Sequence, residues 1–129
     1  MGERARVGET LPMATTVLIV DDHPTFRASA RRMLEAGGYV VVGEAEDGRA
    51  ALAATRELRP EVVLLDVQLP DANGFDLAEE ITRADGSPAV VLTSSRDAED
   101  YAGLLVRSGA RGFVPKAELT GPALAALLG

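Results

Sequence analysis

The chain has 129 residues, 47% of them hydrophobic and 26% charged, which is enough for one globular core and too little for two full domains. Thirteen basic against twenty acidic side chains leave a net charge of −7, so direct nucleic-acid binding by this chain is not expected. Cysteine is absent and His23 is the one histidine, which excludes disulfides, thiolate catalysis and multi-histidine or cysteine-ligated zinc. No apolar run approaches the ~20 residues that span a bilayer, and the charged first residues lack a signal-peptide core, so no membrane is expected and the cytoplasm is the default location.

Residues 1–13 (MGERARVGETLPM) show no periodicity and are read as a flexible leader, with one domain over residues 14–129. From Thr15 short β-branched runs alternate with helical patterns. The runs are Thr15–Val20, Tyr39–Gly43, Glu61–Leu65, Ala89–Leu92 and Gly112–Val114. Most are continuously apolar, as expected of parallel strands covered on both faces. Between them, apolar residues recur at helical spacing: Phe26, Ala30, Met33 and Leu34; then Ala51, Thr55 and Leu58; then Leu77, Ala78 and Ile81. Tyr101, Leu104 and Leu105 begin a fourth helix, and Leu124, Leu127 and Leu128 a fifth. Asp47, Asp97 and Thr120 stand where N-caps are wanted, and Gly37-Gly38 closes the first helix. Right-handed crossovers then require a single doubly wound α/β domain, a parallel five-stranded sheet with helices on both faces.

Ligands of such sheets bind outside the carboxyl ends of the strands. Strand one is followed at once by Asp21 and Asp22, strand three by Asp66, strand four by Thr93, Ser94 and Ser95, and strand five by Lys116. Three close carboxylates repel one another unless a hard cation relieves them, and Mg²⁺ favours a few carboxylates plus water and phosphate oxygens. A carboxylate beside that cation is a candidate nucleophile toward a phosphoryl group, which Lys116 and Thr93 would then neutralise and hydrogen-bond.

The pieces VLIVDDHPTFR, EAEDG, VVLLDVQLPDANGFDL, VVLTSS and GARGFVPK, in that order, resemble the receiver domain of two-component response regulators from about Thr15 to Leu128. The DDHPxFR wording is most similar to receivers that often precede a helix-turn-helix output domain. The resemblance implies a flavodoxin-like fold with strand order 2-1-3-4-5. It implies that Asp66 is the phosphoacceptor, that Asp22, Asp66 and the backbone carbonyl of Gln68 bind Mg²⁺, and that Asp21 does so through water. It makes Thr93 the switch hydroxyl, Lys116 the phosphoryl-contacting lysine and Phe113 the switch aromatic, with ordinary core packing the other reading of Phe113. The partner implied is a histidine kinase or phosphotransfer protein, with pairing of two copies on phosphorylation. Many receivers carry proline directly after the lysine; here Pro115 precedes Lys116 and Ala117 follows.

Plainer readings stand beside some of these residues. His23, weighed against a role as metal ligand or phosphate relay, is read as a surface residue opening the first helix before Pro24. Arg27, Arg31 and Arg32 form a basic stripe, either a solvated face or a kinase-docking face. The acidic stretch Asp97–Asp100 suits a helix N-terminus. Pro70 and Gly74 shape the loop after Asp66. Two other functions compete with the phosphorylation switch: a receiver-like interaction module that works unphosphorylated, and a Mg²⁺-dependent phosphohydrolase, for which the chain leaves little material to build a substrate cap. The fifth helix closes on Gly129, and the expectation is a stand-alone receiver without its own enzymatic turnover of substrates, against the alternative of the N-terminal piece of a transcription factor.

Overall fold

A computed structural model describes residues 14–95 and 101–129. The leader expected over residues 1–13, the cap expected at Asp97 and the acidic stretch Asp97–Asp100 lie outside the described residues. Five strands and five helices alternate: β1 (Thr16–Val20), α1 (Pro24–Ala36), β2 (Val40–Ala45), α2 (Gly48–Leu58), β3 (Val62–Asp66), α3 (Gly74–Thr82), β4 (Ala89–Ser94), α4 (Ala102–Ser108), β5 (Gly112–Pro115) and α5 (Gly121–Leu128). A short 3-10 turn, Lys116–Glu118, joins the last two. Every strand pairing is parallel, and the sheet order is β2-β1-β3-β4-β5. This is the 2-1-3-4-5 doubly wound arrangement expected from the sequence.

The unbroken apolar strands follow from two covered faces. Val17, Ile19, Val62, Leu64 and Val91 point to one side, where Ala30 and Leu34 of α1 and Leu124 of α5 complete a core. Leu18, Val20, Val63, Leu65, Val90 and Leu92 point to the other, where Ala51 of α2 and Phe75, Leu77, Ala78 and Ile81 of α3 close a second core. Burying residues of Leu, Ile and Val size contributes about 1.5–3 kcal/mol each, so these two layers drive the fold.

Local capping agrees with the residues singled out. Asp47 accepts a hydrogen bond from the Ala50 N–H and Thr120 one from the Ala123 N–H, satisfying donors that a helix start leaves unpaired. Two helical stripes are less buried than their spacing predicts. Leu58 ends α2 and Leu104 lies on α4, and both are exposed. α4 is short and rests mainly on α3, so Leu105 reaches the core while Leu104 and Val106 do not. β2 runs two residues beyond its expected end, through Glu44 and Ala45. Among the described residues no helix is long and apolar enough to cross a membrane.

Candidate functional site

The carboxyl ends of β1, β3, β4 and β5 bring Asp21, Asp22, Asp66, Thr93 and Lys116 to one edge of the sheet. Asp66 is the last residue of β3, and its neighbour in register on β4 is Thr93. Asp21 is fully buried and Asp66 only 4% exposed, whereas Asp22 is exposed at the rim. One ligand atom from each of Asp21, Asp22, His23 and Asp66 lies within 4.8 Å of the others. A shallow cavity of about 320 Å³ opens over them, lined by Asp22, His23, Asp66, Gln68, Ser95 and Lys116 among others.

Lys116 reaches in from the end of β5. Its Nζ is 2.6 Å from Asp21 Oδ2 and 3.4 Å from Asp66 Oδ2, and donates a hydrogen bond to the latter. The Asp21 contact lacks hydrogen-bond geometry, so that buried oxygen is compensated by charge alone. Burial, and then the neighbouring Asp21 carboxylate, push the Asp66 carboxyl up to about 6 against the downward pull of Lys116 and of the Gln68 N–H. One ammonium therefore offsets two buried carboxylates only in part. A cluster of hard oxygen atoms with surplus negative charge and a buried oxygen short of a hydrogen bond fits a hard divalent cation. Chemically, Asp66 is a buried carboxylate at the floor of a shallow cavity, beside an ammonium, an arrangement that can accept an electrophilic group and neutralise the charge that arrives with it.

The loop after β3 is held from several directions. The Gln68 N–H donates to Asp66 Oδ1 at 3.2 Å, and Gln68 bridges to Asn73. Asn73 caps α3 by accepting from the Phe75 N–H at 2.7 Å. Asp71 accepts from the Gly48 and Arg49 N–H groups at the start of α2, which holds its carboxyl below the usual carboxylate range. Gly74 packs so closely on the Asp66 carbonyl and on Val67 that a Cβ would lie 2.6 Å from the Val67 Cα. Its place in loop shaping, read from sequence, has this steric cause.

Phe113, on β5, is half-buried. Its ring centroid is 5.7 Å from that of Tyr101, which is 5.0 Å from that of Phe75, both pairs tilted. Tyr101 Oη lies 3.4 Å from Ser94 Oγ, next in chain to Thr93. An aromatic row thus runs from the Thr93 strand end to α3 and α4.

Three residues, His23, Arg27 and Phe26, touch the site beyond the roles read for them from sequence. His23 opens α1 as its N-cap, with Pro24 in the first turn, as expected. Its ring also lies against the carboxylates, Nδ1 being 3.0 Å from Asp21 Oδ1 and 3.1 Å from Asp22 Oδ1. Arg27 donates to the Asp21 carbonyl and pairs with Glu44 at 3.0 Å. Arg31 pairs with the other oxygen of Glu44 at 2.8 Å, so two members of the basic stripe, Arg27 and Arg31, are ion-paired, while Arg32 is exposed. Phe26 lies beneath Lys116, whose Nζ is 4.6 Å from the ring centroid. The signal for Phe26 and Arg27 was available: side chains in the first turn of a helix lean toward its N-terminus, here toward Asp21 and Asp22. Asp71 left no such trace, because its partners lie on another helix.

Comparison with known proteins gives a consistent family. A family model described as "Response regulator receiver domain" matches residues 17–127. The chain is 33% identical over 104 residues to the chemotaxis protein CheY of Thermotoga maritima, covering 81% of this chain and 87% of that protein. It is 40% identical over 106 residues to the DNA-binding response regulator MtrA of Mycolicibacterium smegmatis, covering 81% of this chain and 45% of that one. Among solved structures, a LuxR-family two-component response regulator from Aurantimonas sp. SI85-9A1 superposes with a TM-score of 0.79 at 32% identity, covering 89% of this chain and 86% of that one. Most of the curated relatives are longer, and the chain spans about half of their length.

Proposed function

The chain belongs to the response-regulator receiver-domain family, and from that premise we propose that it is a phosphorylation-controlled switch whose phosphoacceptor is Asp66. The observation that carries this reading is the Asp66 carboxylate at the end of β3, in hydrogen-bond contact with Lys116 and within 4.8 Å of two further carboxylates. Receiver domains are signalling modules that use Mg²⁺ in an acidic pocket. Here Asp22, Asp66 and the Gln68 carbonyl would hold the ion directly and Asp21 through water. The ion when bound supplies positive charge at the phosphoryl oxygens.

In the proposed step an Asp66 carboxylate oxygen attacks the phosphorus of a phosphohistidine on a histidine kinase or phosphotransfer protein. The P–O bond forms as the P–N bond breaks, and the imidazole nitrogen keeps the bonding electron pair and takes up a proton. Lys116 turns from Asp21 and Asp66 toward the incoming phosphoryl oxygens. The Thr93 hydroxyl, one strand away in register, is the natural donor to the new group. Its movement would shift the row Phe113–Tyr101–Phe75 between two packings and change what the α4 side of the molecule binds, partner or second copy. The chain promotes its own modification and its reversal at Asp66 and turns over no other substrate.

Incubation with Mg²⁺ and a small phosphoryl donor, followed by intact mass measurement, tests this. Wild type is expected to gain one phosphoryl group and Asp66→Asn none. An unmodified wild type that still binds Mg²⁺ would contradict the proposal and leave a module that binds its partner unphosphorylated.

A further inference from the structure

Lys116 has a third neighbour besides its two carboxylates. Phe26 stands in the first turn of α1, packed against the core between α1, α5 and the sheet, so its ring is fixed by the apolar layer behind it. The Lys116 ammonium lies over that ring, 4.6 Å from the centroid. This is within the ~6 Å at which the ring quadrupole attracts a cation. The side chain of Lys116 is only 17% exposed, so water competes weakly for the ammonium.

We propose that Phe26 is a positioning residue for Lys116, a platform that keeps the ammonium over the site while its hydrogen bonds are exchanged during phosphorylation. The inference rests on Asp66 being the phosphoacceptor. In the unmodified chain Lys116 faces Asp21 Oδ2 at 2.6 Å and Asp66 Oδ2 at 3.4 Å. On phosphoryl transfer it has to redirect its N–H groups to new oxygens. A carboxylate or carbonyl in place of the ring would bind those donors and oppose the exchange. An aromatic face attracts the charge without claiming a particular N–H direction, so the ammonium can pivot in place. Lys116 has a flexible four-carbon stem, and ordering such a side chain is entropically costly unless something holds it.

Phe26→Leu keeps apolar volume and removes the quadrupole; Phe26→Tyr keeps the ring. With Mg²⁺ and a small phosphoryl donor, Phe26→Leu is expected to be modified about fivefold more slowly than wild type and Phe26→Tyr within about twofold. Mg²⁺ affinity, measured separately, should stay at the wild-type value in both, because Phe26 touches no carboxylate. A readout independent of phosphorylation is the NMR shift of the Lys116 ε-methylene protons. Ring current should move them upfield in wild type and Phe26→Tyr, and the displacement should vanish in Phe26→Leu. Equal modification rates for wild type and Phe26→Leu, or an ε-methylene shift that ignores the ring, would overturn the role of Phe26 alone. A wild-type chain that takes up no phosphoryl group in the same assay would overturn the Asp66 reading and this step with it.

Discussion

Asp66 carries its charge against two opposing pulls, with burial and Asp21 favouring the proton and Lys116 and the Gln68 N–H favouring the carboxylate. Burial wins, and the group ionises near 6 in the folded chain against 3.8 when unperturbed. Between those two values the folded chain holds more protons than the unfolded one. Stability from this group is therefore fully present below pH ~4, falls as pH rises toward 6 and is level above it. The difference is roughly 2–3 kcal/mol. In a chelator at pH 7, Asp66→Asn is accordingly expected to melt several degrees above wild type, with the gap closing near pH 4. A gap of constant size across that range in paired thermal melts would contradict the assignment. The same proton competes with a cation. Mg²⁺ should bind wild type about tenfold more weakly at pH 5 than at pH 7, whereas an affinity flat across this range would mean that Asp66 is not a ligand.

The segment from β3 into α3 is the element on which the site depends most, because Asn73, Asp71 and Gly74 each fix part of it. Gly74→Ala would force a methyl group into the Asp66 and Val67 backbone. We expect about 1–3 kcal/mol of destabilisation and a further loss of phosphoryl uptake in the fraction that remains folded. Gly103→Ala, on the exposed face of α4 with nothing near its Cβ position, should be neutral or stabilise by up to ~1 kcal/mol. Equal effects of the two substitutions in denaturant melts would refute the close-approach argument. Much at this scale was legible in sequence: the five strands, the caps at Asp47 and Thr120, and the strand-end carboxylates, since each rests on local periodicity or on the rule that ligands bind at strand ends. The extension of β2 through Glu44 was not, because a charged strand residue is accommodated there by Arg27 and Arg31 of a different element. The exposure of Leu58 and Leu104 was missed for a related reason: helical spacing states which side chains share a face, not how far the neighbouring layer extends.

At the scale of the whole molecule, the order β2-β1-β3-β4-β5 turns residues up to 95 positions apart into one cluster, from Asp21 just after β1, through Asp66 at the end of the central β3, to Lys116 just after the edge strand β5. The same topology puts the aromatic row between that cluster and α4, where Val106 is 83% exposed. On the proposed reading, a charge added at one end of β3 would act through this row on the α4 surface. Asp66 is central to this account, and borohydride trapping tests it most directly. The chain is phosphorylated with Mg²⁺ and a small donor, and an acyl phosphate is then reduced to the alcohol, which converts the modified aspartate to homoserine. Peptide mass mapping is expected to place homoserine at position 66 alone. Homoserine at Asp21 or Asp22, or none at any aspartate of a chain that has bound Mg²⁺, would contradict it.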